Sequence, residues 1–318
     1  MVSLKEIGLV NTIDCHTHSG GVDLYNLYTG DLPMAQSVDD LVLKARSSGI
    51  SKVVTFPFPT TGYYNVHELV TRNVRIPSGQ QDFPYQVDNM ALIKGCENSD
   101  FPLFPFMAID PSNHIQEQVD SLQQIYEKSK FYGLKLHTLA TGSTADKLIG
   151  SEIVEFAQEK NIPIIIHSDL GDEHSHPQNI VKLAKQSPNL RVCVAHLAWL
   201  DKDTIKDVAK TNNMFIDTCP FLQICNRVRK GSKMVFSPNL IDPNKPAESL
   251  FKYYKLLKNN LIWGTDEPWT KCISARGNVS SNHVYGDEAQ IISDLFQISP
   301  QAALDVASRN TERFIFGS

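Results

Sequence analysis

Eight short apolar runs punctuate the chain, and the stretches between them carry apolar residues at helical spacing. The runs are Thr12–His18, Lys52–Pro57, Leu103–Ile109, Tyr132–His137, Ile162–His167, Arg191–His196, Met214–Cys219 and Leu261–Asp266. The first helix is predicted from Ser37: Ser37 and Asp40 have capping-box spacing, Val38, Leu41, Val42 and Ala45 share one face, and Gly49 stops it. Further helices are predicted over 88–95, 114–130, 151–160, 178–186, 203–210, 247–258, 286–297 and 300–310, with loops over 19–34 and 60–85. Strands alternating with helices demand a parallel sheet with right-handed crossovers. Several runs are apolar on both faces, as strands covered on both sides should be. Eight such units read as an α/β fold, a (β/α)8 TIM barrel forming one domain over residues 1–318; an open doubly wound sheet is the competing arrangement.

Composition narrows the function classes. The 318 residues are 42% hydrophobic and 20% charged, as in an ordinary globular protein. The net charge of −5 and the pI near 6.1 supply no basic surface, so neither nucleic acid nor a membrane is an expected partner. Residues 1–10 lack an apolar leader core, and no apolar run reaches membrane-spanning length. The expectation is a cytoplasmic protein acting on a small molecule, with a homodimer compatible. Six cysteines, at 15, 96, 193, 219, 225 and 272, form no C-x-x-C pair and read as free thiols.

The chemistry lies at the ends of the runs. His16-Thr17-His18 is an H-x-H pair, of which about 0.3 would arise by chance in a chain with ten histidines. Strand alternation places Asp14, His16 and His18 on one face and turns Cys15 towards a helix layer. In a TIM barrel the C-terminal strand ends share one rim. That rim gathers His16, His18, Lys135, His137, His167, His196 and Asp266. Imidazole and carboxylate groups in this number suit a divalent metal.

In order and spacing, these residues resemble the amidohydrolase superfamily. The motifs Asp14-Cys15-His16-Thr17-His18, Gly133-Leu134-Lys135-Leu136-His137 and Gly264-Thr265-Asp266-Glu267-Pro268 are similar to its metal-dependent hydrolase branch, which includes aminocarboxymuconate semialdehyde decarboxylase. The resemblance covers the whole barrel. With the first strand expected by about residue 12, there is no room before it for the β-sandwich that many cyclic-amide hydrolases carry. The resemblance implies that His16, His18, His167 and Asp266 bind a metal, zinc being expected, and one ion rather than two. In two-metal relatives Lys135 would be carboxylated and bridge the ions, and His196 would bind the second. In one-metal relatives His196 would polarise a substrate carbonyl, and Asp266 would carry a proton between water and the leaving group. No glutamate ends the fourth run, which argues against TatD-type nucleases.

Around the rim, His137, Arg72, Tyr63 and Trp199 are the candidate substrate contacts, with Tyr64, Phe221 and Trp269 as further walls and Arg75, Arg227 and Arg229 as further cations. His174 and His176 read as surface or rim residues outside the metal set. Asp14 reads either as a carboxylate orienting a ligand histidine or as an ordinary buried acid. The leading expectation is a zinc-dependent hydrolase of an amide, ester or lactone bond in a small, anionic substrate. A non-oxidative decarboxylase using the same site is the alternative from another reaction class, and a non-catalytic metal-binding barrel is the third.

Overall fold

The computed structural model describes residues 4–20, 31–32, 35–231, 240–274 and 279–317. Most of the loop expected over 19–34 therefore lies outside the described residues. The strands are β1 (Ile13–His18), β2 (Asp31–Leu32), β3 (Lys52–Phe56), β4 (Leu103–Ile109), β5 (Gly133–Leu136), β6 (Ile164–Ile166), β7 (Val192–Val194), β8 (Met214–Asp217), β9 (Leu261–Ile262), β10 (Lys271–Ser274) and β11 (Val279–Asn282). Eight of them form one parallel sheet in the order β1-β3-β4-β5-β6-β7-β8-β9, matching the eight apolar runs in turn. The sheet closes on itself. Cys15 N–H donates to the Trp263 carbonyl at 3.0 Å, Asp266 N–H to that of His16 at 2.8 Å and His18 N–H to that of Glu267 at 2.8 Å. The expected (β/α)8 barrel is formed. Strands β2, β10 and β11 build a separate small antiparallel sheet.

Two cores hold the barrel. The larger lies between strands and helices and includes Leu41, Ile109, Leu136, Ile164, Val194, Ile216, Trp263 and Ile292. The smaller fills the barrel interior with Ile13, Cys15, Val54, Phe56, Phe106, Ile165, Cys193, Phe215 and Ile262. The final helix, Asn310–Phe316, sends Phe314 into that interior, where its ring meets those of Phe215 and Phe106. Arg191, just before β7, donates to the Phe314 carbonyl, so this plug sits at the N-terminal end of the strands, opposite the rim.

Three expectations need correction. The pairing of β1 with β3 shifts register between Asp14 and Thr17, a β-bulge that places one extra residue in β1. Cys15 therefore faces the barrel interior rather than a helix layer. Asp14 leaves the face of His16 and His18: its oxygens accept from Thr265 N–H at 3.0 Å, Thr265 Oγ1–H at 2.7 Å and His16 N–H at 3.1 Å. The stretch 60–85 contains the helix Val66–Arg72, which Asn65 caps by accepting from Glu68 N–H.

Close packing at the bulge explains Gly264. A Cβ there would lie 2.8 Å from His16 Cβ and 3.0 Å from His16 N, so only glycine lets the last strand approach the bulged first one. Outside the barrel, Glu288 is wholly buried on the helix Tyr285–Ile298. Leu222 N–H donates to its Oε1 at 2.9 Å, and Oε2 has no partner among the described residues. Burial pushes its carboxyl up to about 8. Because the folded-state value is raised, stability is fully present below the unfolded value and declines as pH rises through the folded one. Glu288→Gln is expected to flatten the fall in stability between about pH 4.5 and about pH 8, measured by urea unfolding across that range; an unchanged slope contradicts the assignment.

Candidate functional site

The barrel delivers polar side chains to its C-terminal mouth, over a floor made by Phe56. The Phe56 ring meets His16 edge-on at 4.8 Å and His18 at 4.5 Å, and the Lys135 ammonium lies 4.5 Å above it. His16, His18 and Lys135 are all buried. Ligand atoms of His16, His18 and Asp266 lie within 4.8 Å of one another, a three-donor group open to a cation. Asp266 Oδ1 stands 3.4 Å from His16 Nε2 and 3.8 Å from His18 Nε2, while Oδ2 stands 3.9 Å from His196 Nδ1.

The hydrogen bonds settle which nitrogen of each ring carries the proton. His18 Nδ1 is 2.9 Å from the Pro57 carbonyl, which can only accept, so His18 is protonated at Nδ1 and bare at Nε2. His16 Nδ1 donates to Asp217 Oδ2 at 2.8 Å, leaving its Nε2 as a lone pair that faces Lys135 Nζ at 3.1 Å. His196 Nδ1 donates to the Cys219 carbonyl at 2.8 Å, so its Nε2 must accept from His167 Nδ1 at 2.9 Å. His167 Nε2 is then bare as well. It is buried and is the only imidazole nitrogen without a partner among the buried side-chain atoms described. Burial lowers the pKa of His16, His18 and His167, and the Lys135 charge adds to the effect, so all three rings stay neutral. A neutral imidazole fixed through Nδ1 with a free Nε2 is what a divalent cation requires of a ligand. The donor set fits a metal.

His167 does not join the three-donor group directly. Its ring lies 4.7 Å from His196 and stacks on His137 at 4.0 Å with an interplanar angle of 14°. His137 Nδ1 accepts from Ala140 N–H, capping the short turn beyond β5. Lys135, inside the barrel, has its ammonium disfavoured by burial and supported by Asp217 and Asp266. Burial raises the Asp266 carboxyl well above its usual range, and Lys135 pulls it the other way.

The other expected contacts separate. Trp199 stands 6.0 Å from His196, donates to the Ser168 carbonyl and carries the Arg227 guanidinium 4.1 Å above its ring. Trp269 meets the His18 ring at 4.6 Å. Tyr63 packs on Tyr64 and His114. Tyr64 donates to Asp110. Arg72 is not brought in: its side chain is 69% exposed and paired with Glu68 on the same helix. Arg75 instead reaches the turn behind His137, donating to the carbonyls of Leu139 and Ala140 at 2.8 Å. Phe221 belongs to the outer apolar core. His174 lies 3.5 Å from Asp172, and His176 caps the helix Pro177–Gln186, so both stand apart from the metal set.

Two features of the site escaped the sequence. Asp217, at the end of β8, holds His16 through Oδ2 and accepts from His196 N–H at 2.8 Å and Cys219 N–H at 3.3 Å through Oδ1. The available signal is a carboxylate near the end of the seventh apolar run, in line with the five run ends that carry His16, Lys135, His167, His196 and Asp266. The second is backbone strain. His196 to Leu200 all have positive φ, between 48° and 65°, and Asp266 has φ 61°. Left-handed residues other than glycine cost of order 1–3 kcal/mol each and gather where function holds them. Here they turn the chain sharply just beyond two of the rim side chains.

Asp217→Asn would place an NH2 donor against either the His16 Nδ1–H or the backbone N–H groups of His196 and Cys219. It is expected to weaken metal binding by about 10–100-fold, measured by competition with a chelator; unchanged affinity contradicts the positioning role.

Comparison with known proteins finds the same fold in several solved structures. The 5-carboxyvanillate decarboxylase of Novosphingobium aromaticivorans, solved with manganese and 4-hydroxy-3-methoxy-5-nitrobenzoic acid, superposes with a TM-score of 0.65 at 12% identity, over 98% of this chain and 97% of that one. An uncharacterized TIM-barrel protein of Bordetella bronchiseptica gives 0.60 at 15% identity over 95% and 97%. The dihydroorotase of Campylobacter jejuni gives 0.55 at 17% identity over 95% and 82%. At these identities the likeness is one of fold. No functionally curated protein sequence matches the chain. The amidohydrolase sequence profile, however, matches residues 13–314, so the eight strands, the H-x-H pair and the terminal aspartate sit in one continuous match and the chain belongs to the amidohydrolase family.

Proposed function

We propose that this chain is a metal-dependent hydrolase that opens an amide, ester or lactone bond in a small, anionic substrate. The observation that carries the reading is the three-donor group of His16, His18 and Asp266, in which both rings are fixed through Nδ1 and Asp266 Oδ1 faces both Nε2 atoms; the buried Nε2 of His167, without a partner among the described residues, completes the set we propose. His16, His18, His167 and Asp266 would hold the ion, zinc being the expected one and manganese, found in the Novosphingobium relative, the competitor. Such an ion supplies Lewis acidity, polarising a carbonyl and making water a better nucleophile near neutral pH.

The remaining roles belong to side chains. Asp266 takes the proton of the attacking water and returns it to the leaving group, since a free oxygen of a rim carboxylate can face both. Its left-handed backbone fixes that orientation. Lys135, a buried ammonium within the same pocket, steadies the negative charge that develops on the substrate oxygen. His196 has both nitrogens committed, so its task is to hold His167 in the ligating tautomer. His137 stacks on His167 and Trp199 supports Arg227, giving the mouth an aromatic wall with a cation suited to a substrate carboxylate.

Decarboxylation at the same centre is the second reading. It is favoured by the fold shared with 5-carboxyvanillate decarboxylase over nearly the whole chain. Turnover in ¹⁸O-labelled water separates the two: hydrolysis puts label into a product carboxylate, whereas decarboxylation releases carbon dioxide and leaves the organic product unlabelled. Asp266→Asn is expected to lower kcat by about 10²–10⁴-fold while metal stays bound through the histidines. Full activity of that variant contradicts the proton-transfer role, and metal-bound protein inert across a broad panel leaves only a binding barrel.

A further inference from the structure

His18 and Asp266 stand on the two sides of the seam where the last barrel strand meets the first. Among the described residues β9 ends at Ile262, and beyond it the pairing reduces to an isolated parallel bridge between Thr17 and Glu267. Asp266 Oδ1 lies 3.8 Å from His18 Nε2 across that seam. Neighbouring ligands of one tetrahedral ion stand about 3.3–3.6 Å apart, given metal–ligand distances near 2.0–2.2 Å. A site of this kind tolerates only about 0.5 Å of drift in its ligands. Something must hold the two segments in place from outside.

A lysine fastens both. Lys44, on the helix Val38–Ser47, has its Nζ 2.5 Å from Glu267 Oε1 and 2.6 Å from Gln36 Oε1. Gln36 in turn donates from Nε2 to the His18 carbonyl at 2.7 Å, and its own carbonyl accepts from Gly20 N–H at 2.8 Å. On the far side Glu267 follows Asp266 directly, and its second carboxylate oxygen accepts from Thr270 Oγ1–H. One ammonium therefore links the backbone at one metal-binding residue to the segment that carries the other. Gln36 is buried and the Glu267 side chain is 5% exposed, whereas that of Lys44 is 36% exposed. Among the described residues Lys44 is the only cation paired with Glu267. Removing it strands a nearly buried carboxylate, which is costly. Glu267 would then turn towards water and draw the Asp266 segment with it.

We propose, on the metal-dependent reading above, that Lys44 is a positioning residue of the metal centre: by joining Gln36 to Glu267 it sets the separation of His18 and Asp266. It touches neither ion nor substrate and acts only through those two neighbours.

The test measures zinc affinity by chelator competition, and the visible spectrum of cobalt-loaded protein, in the full-length parent and three variants. Lys44→Met keeps the length of the side chain and loses its charge; it is expected to hold zinc about tenfold more weakly and to shift the cobalt bands. Lys44→Arg should bring both back towards the parent, because a charge-assisted hydrogen bond to Glu267 is kept and a cavity of about 490 Å³ beside Lys44 has room for the larger head. Lys52→Met breaks another ion pair, with Glu312 at 3.3 Å, and should change neither. A merely structural role would lower the unfolding temperature of Lys44→Met and leave affinity and spectrum as in the parent; that result overturns the proposal. An equal loss of affinity in Lys52→Met, or a loss in Lys44→Arg as deep as in Lys44→Met, overturns it too. If Lys44→Met does not fold, Gln36→Met, which cuts only the arm to His18, carries the same expectation, and unchanged affinity there is contradictory. A parent protein that binds neither zinc nor cobalt defeats the metal-dependent reading itself.

Discussion

Everything the site can do depends on where three imidazole protons are pinned. A histidine ligates a cation only through a bare nitrogen, and a neutral ring left to itself exchanges between two tautomers. In this barrel a backbone carbonyl, a buried carboxylate and a neighbouring imidazole each take the Nδ1 proton, from His18, His16 and His167 respectively. Burial keeps the rings neutral at the pH where proteins work. The result is a pre-oriented set of lone pairs, those of His16 and His18 lying beside the Asp266 carboxylate.

The fold supplies this by departing from regularity at a few points. The bulge in β1 inserts Cys15 below His16 and sends Asp14 sideways to fasten Thr265, on the segment that ends in Asp266. Gly264 allows that segment to lie against His16. The left-handed turn beginning at His196 lets one strand end present both His196 and Trp199. Regular strands would carry alternate residues in and out. These irregular ones aim neighbouring side chains where the centre needs them.

Much of this was legible in the sequence. The eight apolar runs correspond to the eight barrel strands because burial on both faces leaves a continuous hydrophobic signature. The rim residues were legible because barrel strands share one polarity, so run ends converge. The bulge was not, since period-two reasoning has no term for an extra residue, and it misplaced Asp14 and Cys15. Asp217 was not legible because the superfamily resemblance draws attention to His, Lys and Asp at other strand ends, and Cys219 reads only as one of six scattered thiols. Arg72 and Arg75, three residues apart, were indistinguishable until the helix Val66–Arg72 turned one outward to Glu68 and the loop beyond it carried the other across to Leu139 and Ala140. Tautomers have no sequence signal at all; they follow from which acceptor the fold puts against each ring.

The most direct measurement is the long-range ¹H–¹⁵N spectrum of the histidine rings in metal-free protein, followed by addition of one equivalent of zinc. The account predicts that His16, His18 and His167 are each neutral, with the proton on Nδ1, and that zinc moves all three Nε2 resonances while leaving the Nδ1 protons in place. A proton on Nε2 of any of the three, or an Nε2 resonance that ignores the metal, would contradict it.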